Sequence, residues 1–359
     1  MRAGWWMVAV FGLATQSVSA QVAPAPAATT AKNLPAVVVS GELPGPGLWK
    51  VSKGDHVLWV LGTLAPLPKK MQWQSRQVSD TELAAQAVLL PPGIELDAKL
   101  GFFGKLMLLP RLIGIRDSPD GRKLEDVLPP PVYARWLALK ARYLGHDGGV
   151  EKYRPMFASF KLYEAAVKEA DLSNDDIAGK LVRQLAKAHS IPLVDTSYTF
   201  TVADPKAALT AFRHSSMDDT RCFEQTLDRI EHGLPQMQAQ ANAWATGDID
   251  TLAHLPRDTA GRACADAFAG ADFARQQGLQ NLPEKMAQSW MDAADKALAQ
   301  HRSTLAMLPM GDLLAPDGYL ARLKARGYTV ESPDEQDDAA APAADAGSAA
   351  PATAGSTAR

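Results

Sequence analysis

The side chains in this chain that could do chemistry are few and poorly grouped. Its seven histidines, His56, His146, His189, His214, His232, His254 and His301, are scattered. None forms the H-x-H or H-E-x-x-H spacing that would aim two imidazoles at one metal. His254 follows Asp250 by four residues, a helical spacing whose usual meaning is a surface ion pair. The chain has no G-x-S-x-G turn, no phosphate loop and no G-x-G-x-x-G turn. Its serines therefore read as caps and loop residues rather than nucleophiles. The two cysteines, Cys222 and Cys264, have no further thiol or imidazole at ligand spacing beside them, which argues against a metal site built on the pair.

The start of the chain bears on those cysteines. Arg2, an apolar run over residues 5–14, and Val18-Ser19-Ala20 before Gln21 follow the basic, apolar, small-residue order of a secretory signal peptide over residues 1–20. The run is roughly half of the ~20 apolar residues needed to cross a bilayer. Cleavage after Ala20 and a periplasmic or secreted mature form with no membrane span are the expectation. In an exported chain an even cysteine count favours a Cys222–Cys264 disulfide over two buried thiols. A formal net charge of −3 with no basic, aromatic-interleaved cluster gives nucleic acid nothing to bind.

Positioning elements can be read around these residues. With 47% hydrophobic content over 359 residues, the chain can bury one large core, or one core with a helical appendage. Residues 21–46 read as a flexible Ala/Pro leader with a possible edge strand at 36–39, residues 47–330 as a single domain, and residues 331–359 as a disordered acidic Ala/Pro tail. Residues 48–52 and the apolar run 57–61, joined at Lys53-Gly54-Asp55, read as a hairpin whose second strand is central to a sheet. Ser79 with Glu82 three residues on reads as a capping box opening a helix through Gln86. Residues 87–90 are a second buried strand stopped by Pro91-Pro92-Gly93, and Glu95 and Asp97 beyond it read as loop charges.

Helical periodicity covers 131–143, with Trp136, Leu137 and Leu139 as its buried face, then 152–170, and 174–189 behind Ser173 as N-cap. Residues 191–201 return to β-type composition. Asp204-Pro205 opens another helix, and 217–246 reads as a helical hairpin or kinked helix broken at Gly233-Leu234-Pro235. Residues 304–308 form a strand, Asp317-Gly318-Tyr319-Leu320 opens a helix, and 326–330 ends in an edge strand. The fold expected is α/β (α+β): a central mixed sheet with flanking helices and a large helical insertion between the N-terminal and C-terminal strands.

Leu48-Trp49-Lys50-Val51, a turn, an apolar strand and Gly62-Thr63-Leu64-Ala65 together resemble the opening of the TraB/PrgY/GumN family, relatives of the Tiki metalloproteases. The ending, with Asp317-Gly318, a helix and Gly327-Tyr328, is similar to that family's ending. In the family the first motif is Gly-x-x-His, the second buried strand ends in Glu, and a second Gly-x-x-His precedes Asp-Gly. Gly62 and Thr63 keep the first framework here, but the positions of chemistry hold Ala65, Pro91 and Asp312, with Pro309 in place of the second glycine. The Ala-Trp-Ala-x-Gly-Asp run at 243–248 also resembles the family, although a helix end capped by Gly247 accounts for it.

Since alanine and proline side chains offer no lone pair to a metal, the resemblance implies a pseudoenzyme. The expectation is an exported binding or regulatory protein of the cell envelope, with no catalytic residue, metal or other cofactor, and an envelope protein, peptide or glycan as partner. Two alternatives differ in class. One is a Tiki-type hydrolase holding zinc or manganese through Asp312 and ligands the sequence does not reveal, with Asp97 or His56 able to join Asp312 in an oxygen-rich site for manganese or calcium. The other is a carbohydrate- or peptide-binding module using Pro66, Pro68 and Trp73 as its surface.

Overall fold

The computed structural model describes residues 45–340 apart from 72, 74, 99–107, 109, 111 and 255–258. The expected signal peptide, the possible strand at 36–39 and the chain beyond 340 lie outside the described residues.

Unbroken apolar runs make the centre of the sheet. The strands are β1 (Leu48–Lys53), β2 (His56–Thr63), β3 (Leu67–Pro68), β4 (Val88–Leu89), β5 (Ile94–Asp97), β6 (Leu172–Ser173), β7 (Leu193–Val194), β8 (Tyr198–Thr201), β9 (Ser303–Pro309) and β10 (Thr329–Glu331). Six of them form one mixed sheet in the order β10-β1-β2-β9-β4-β7. β1 pairs antiparallel with β10 and β2, whereas β2, β9, β4 and β7 run parallel. Residues 304–308 of β9 are all buried, as a parallel strand covered on both faces requires. The hairpin turn is Gly54-Asp55, with Lys53 paired to His56 as the last rung of the ladder. β3–β6 and β5–β8 are separate two-stranded ribbons.

The connections fix the faces. From β2 to β4 the chain steps over the slot later filled by β9, carrying the helix Arg76–Leu83, and from β4 to β7 it continues in the same direction with Ile177–Ala188. The return from β7 to β9 runs the opposite way and carries Leu282–Gln300. Right-handed crossovers then put the first two helices on one face of the sheet and the third on the other. The helical insertion expected between the N-terminal and C-terminal strands is present, and between β8 and β9 it runs from Pro205–His214 through Thr220–His232 and Leu234–Thr246 to Thr259–Gly270. A second buried cluster, in which Phe223 and Leu227 of this insertion meet Trp136 of Pro130–Tyr143 and Leu162 of Pro155–Glu169, is distinct from the core on the sheet.

Several boundaries differ from the sequence reading, each for a physical reason. The helix expected to start at Ser79 starts at Arg76, because Ser75 Oγ accepts the Val78 N–H, while Ser79 Oγ donates to the Ser75 carbonyl. Glu82 cannot reach back as a cap because it is buried. On Pro130–Tyr143 the buried side is Val132 and Trp136; Leu137 points to solvent and is 44% exposed. Ser173 lies in β6, and Asp176 caps Ile177–Ala188 by accepting the Gly179 N–H at 2.8 Å. Order also continues past residue 330. Pro333–Ala340 is helical, and Gln336 Nε2 donates to the Leu48 carbonyl at 2.8 Å.

Candidate functional site

β2 and β9 run parallel, and their register ends with Thr63 opposite Pro309. Ala65 lies two residues beyond the end of β2, and Asp312 three residues beyond Pro309. Both therefore emerge at the carboxyl edge of neighbouring strands. The chain leaves β2 toward one crossover face, while β9 is supplied from the other, so this edge is a topological switch point of the kind where open α/β sheets form ligand crevices. Pro91, two residues beyond β4, joins the same edge. Thr196, buried after β7, donates its hydroxyl to the Leu90 and Pro91 carbonyls at 2.9 and 3.1 Å. The three family-motif positions Ala65, Pro91 and Asp312 thus share one edge of the sheet.

The two motif segments also touch. A Cβ on Gly62 would lie 2.4 Å from Met310 Cε, so the first motif's glycine leaves room for the buried Met310 of the second. The Gly62 carbonyl accepts the Trp244 Nε1–H at 2.8 Å, and Trp244 packs against Trp73 with ring centroids 5.3 Å apart. Thr63 Oγ1 donates to the Leu308 carbonyl at 3.3 Å, tying the two strand ends together. Gly318 fits where a Cβ would stand 2.0 Å from the Asp312 carbonyl oxygen. The Asp-Gly step is therefore dictated by the approach of Tyr319–Ala325 to the short helix Met310–Leu313.

Asp312 is exposed at its surface, yet the surrounding protein strips enough water from its carboxyl to raise its pKa, against the opposing charge of Arg262. Burial first, and the Asp312 charge second, push the Tyr319 hydroxyl up to about 12. Tyr319 is held edge-on to Trp290 at 5.0 Å, and beside it Arg322 makes a two-pronged pair with Glu284 at 2.8 and 3.0 Å. This edge brings together the Asp312 carboxyl, the Tyr319 phenol and the Arg322 guanidinium, the last already paired with Glu284, a set of groups able to hydrogen-bond a ligand.

A divalent metal, zinc or manganese, fails the donor test at this edge. Of Ala65, Pro91 and Asp312 only Asp312 carries a coordinating side chain, whereas catalytic zinc takes about three protein ligands. Among the described residues no three of His, Cys, Asp and Glu converge as a metal set. His56 opens β2 at the opposite end of the strand, where Nδ1 lies 2.7 Å from the Leu298 carbonyl. Glu95 and Asp97 sit on β5, in the ribbon with β8. The proposed surface of Pro66, Pro68 and Trp73 is not open: Pro66 is buried, Pro68 pairs with Leu172 in the β3–β6 ribbon, and Trp73 is 4% exposed beneath Trp244.

The family model for TraB/PrgY/gumN matches residues 47–332. The chain belongs to that family. No curated protein and no solved structure matches it. The matched span covers the whole sheet, from β1 to β10, together with the helical insertion. Within this TraB/PrgY/gumN domain Cys222 and Cys264 form the expected disulfide, joining Thr220–His232 to Thr259–Gly270. No helix of the described residues is long and apolar enough to cross a membrane.

Sequence reasoning gave no site role to Trp244, Met310 or Tyr319. Trp244 had a visible signal in the Ala-Trp-Ala-x-Gly-Asp run, since a large aromatic just before a helix end needs a tertiary reason that capping does not supply. Arg262 had none, because nothing local connects it to Asp312.

Proposed function

We propose that this TraB/PrgY/gumN protein is a non-catalytic binding or regulatory member of its family that works in the cell envelope after export. One observation carries the reading. The positions that share the carboxyl edge, Ala65, Pro91 and Asp312, offer a single coordinating side chain among them, while Gly62 and Thr63 keep the framework beside them. The edge keeps hydrogen-bonding groups suited to a peptide or glycan, but lacks the donors that would activate water on a metal. Export is supported by the leader's residue order and by the Cys222–Cys264 disulfide, which suits an oxidising compartment.

Elemental analysis of the mature protein after mild purification tests this. Sub-stoichiometric zinc and manganese, with no peptide cleavage, is the expected result, and Ala65→His alone should not create activity. Stoichiometric metal together with cleavage that disappears in Asp312→Ala would replace this reading with that of a Tiki-type hydrolase.

A further inference from the structure

Glu82 is an acid on the core side of its helix. It lies one turn after Val78 on Arg76–Leu83, is 1% exposed, and its Oε1 has no hydrogen-bond partner. Burying an ionised carboxylate without a counter-charge strongly favours its neutral form. Loss of hydration accordingly raises its pKa to about 7, opposed only by a hydrogen bond with the backbone of Ala186. Ala186 belongs to Ile177–Ala188, whose inward residues are Ala178, Gly179, Val182 and Ala186.

Among the described residues, no charge shifts the Glu82 carboxyl back toward its ordinary range. On Ile177–Ala188, Lys180 pairs with Asp175 and Arg183 with Asp176, while Lys187 and the following His189 are exposed. Arg76 and Asp80, on Glu82's own helix, are exposed. β9, on which this helix packs, has no titratable residue from Ser303 to Pro309, and the preceding Arg302 pairs with Asp55 at 3.6 Å.

We propose that Glu82 is a proton-operated latch between the crossover helices Arg76–Leu83 and Ile177–Ala188, closed while its carboxyl is neutral and loosened when it ionises. The two helices feed the strands that end at the crevice. Arg76–Leu83 leads into β4 and Pro91, and Ile177–Ala188 leads into β7 and Thr196, whose hydroxyl clamps the Leu90 and Pro91 carbonyls. Loosening their contact releases one wall of the crevice, so ligand affinity there falls as pH rises.

The direction follows from linkage. The folded-state pKa is raised from 4.5 to about 7. The stabilisation of the docked form is complete below the lower value, declines across the window between them, and is lost above the upper one. Between pH 6 and 8 the opening equilibrium should grow about tenfold.

Amide hydrogen exchange on the full mature chain at pH 6 and pH 8, corrected for intrinsic exchange rates, reads this directly. Protection over residues 76–83 and 177–188 should drop about tenfold at the higher pH, while Leu282–Gln300 on the other face keeps its protection. Glu82→Gln, neutral and of the same shape, should hold both helices protected at both pH values. Equal protection of the natural chain at the two pH values, or a tenfold drop surviving in Glu82→Gln, overturns the latch. Should that variant fail to fold, carbon-13 titration of Glu82 in the natural chain decides: a midpoint near 7 supports the latch, and one near 4.5 overturns it.

Discussion

Gly62 carries two demands at once: its missing side chain admits Met310, and its carbonyl is taken by Trp244 Nε1. The second demand is testable at the scale of one atom. Trp244→Phe removes a buried donor and leaves the Gly62 carbonyl unpaired, a loss of about 1–3 kcal/mol beyond the change in packing. Trp73 provides the control, because it stacks on the same ring with a buried Nε1 that has no partner. Trp73→Phe should therefore cost less, by at least about 1 kcal/mol in urea unfolding. Equal losses would mean that Trp244 contributes bulk alone. The same logic accounts for two glycines of the resembled pattern, although Pro309 stands where its second motif has glycine. Gly62 and Gly318 are required by neighbouring atoms of the fold, whereas a histidine at position 65, which is exposed, would have no packing role.

Elements were legible where one period dominated. β2 and β9 are apolar runs bounded by turn residues, and Asp204-Pro205 and Gly247 mark helix ends that occur as read. Legibility failed where two residues competed for one role. Ser75 and Ser79 both suit a cap, and the choice fell to the side chain three residues on: Glu82 faces the core, so no capping box forms at Ser79. The C-terminal boundary failed for a related reason. Residues after Ser332 have too little apolar surface to order themselves, but Pro333 packs on Gly47 and Gln336 reaches the Leu48 carbonyl of an already formed strand. Ending the chain after Ser332 should thus lower the melting temperature, with a loss of about 0.5–1.5 kcal/mol for the Gln336 bond alone. Gln336→Ala in the full chain should reproduce most of that loss. An unchanged melting temperature in both would show that the helix adds nothing to β1.

At the scale of the molecule, the sheet and the helical insertion answer to different constraints. The sheet core is continuous from Leu48 to Leu323, whereas the cluster around Trp136 and Phe223 is built between helices far apart in sequence. Sequence reasoning reached the first through patterning, and of the second it reached the buried Trp136 but not its partners, because helix-on-helix contacts leave no local trace of partner choice. The disulfide spans 42 residues and joins Thr220–His232, which contributes Phe223, Leu227 and Ile230 to that cluster, to Thr259–Gly270. Closing a loop of that length restricts the unfolded chain by roughly 4 kcal/mol on the entropy model. Both sulfurs are buried, Cys222 fully and Cys264 to 7% exposure, so a dithiol should reduce the bond slowly in the native protein and quickly once urea exposes it. The double variant Cys222→Ala with Cys264→Ala avoids a stray thiol and should unfold with a stability lower by roughly 4 kcal/mol. Because the bond lies outside the sheet core, the loss should appear first in the insertion, as weakened exchange protection over 220–232 and 259–270 while β2 and β9 keep theirs. A loss below about 1 kcal/mol, or equal weakening of sheet and insertion, would mean instead that the helices are held by packing alone and that the two cores open as one unit.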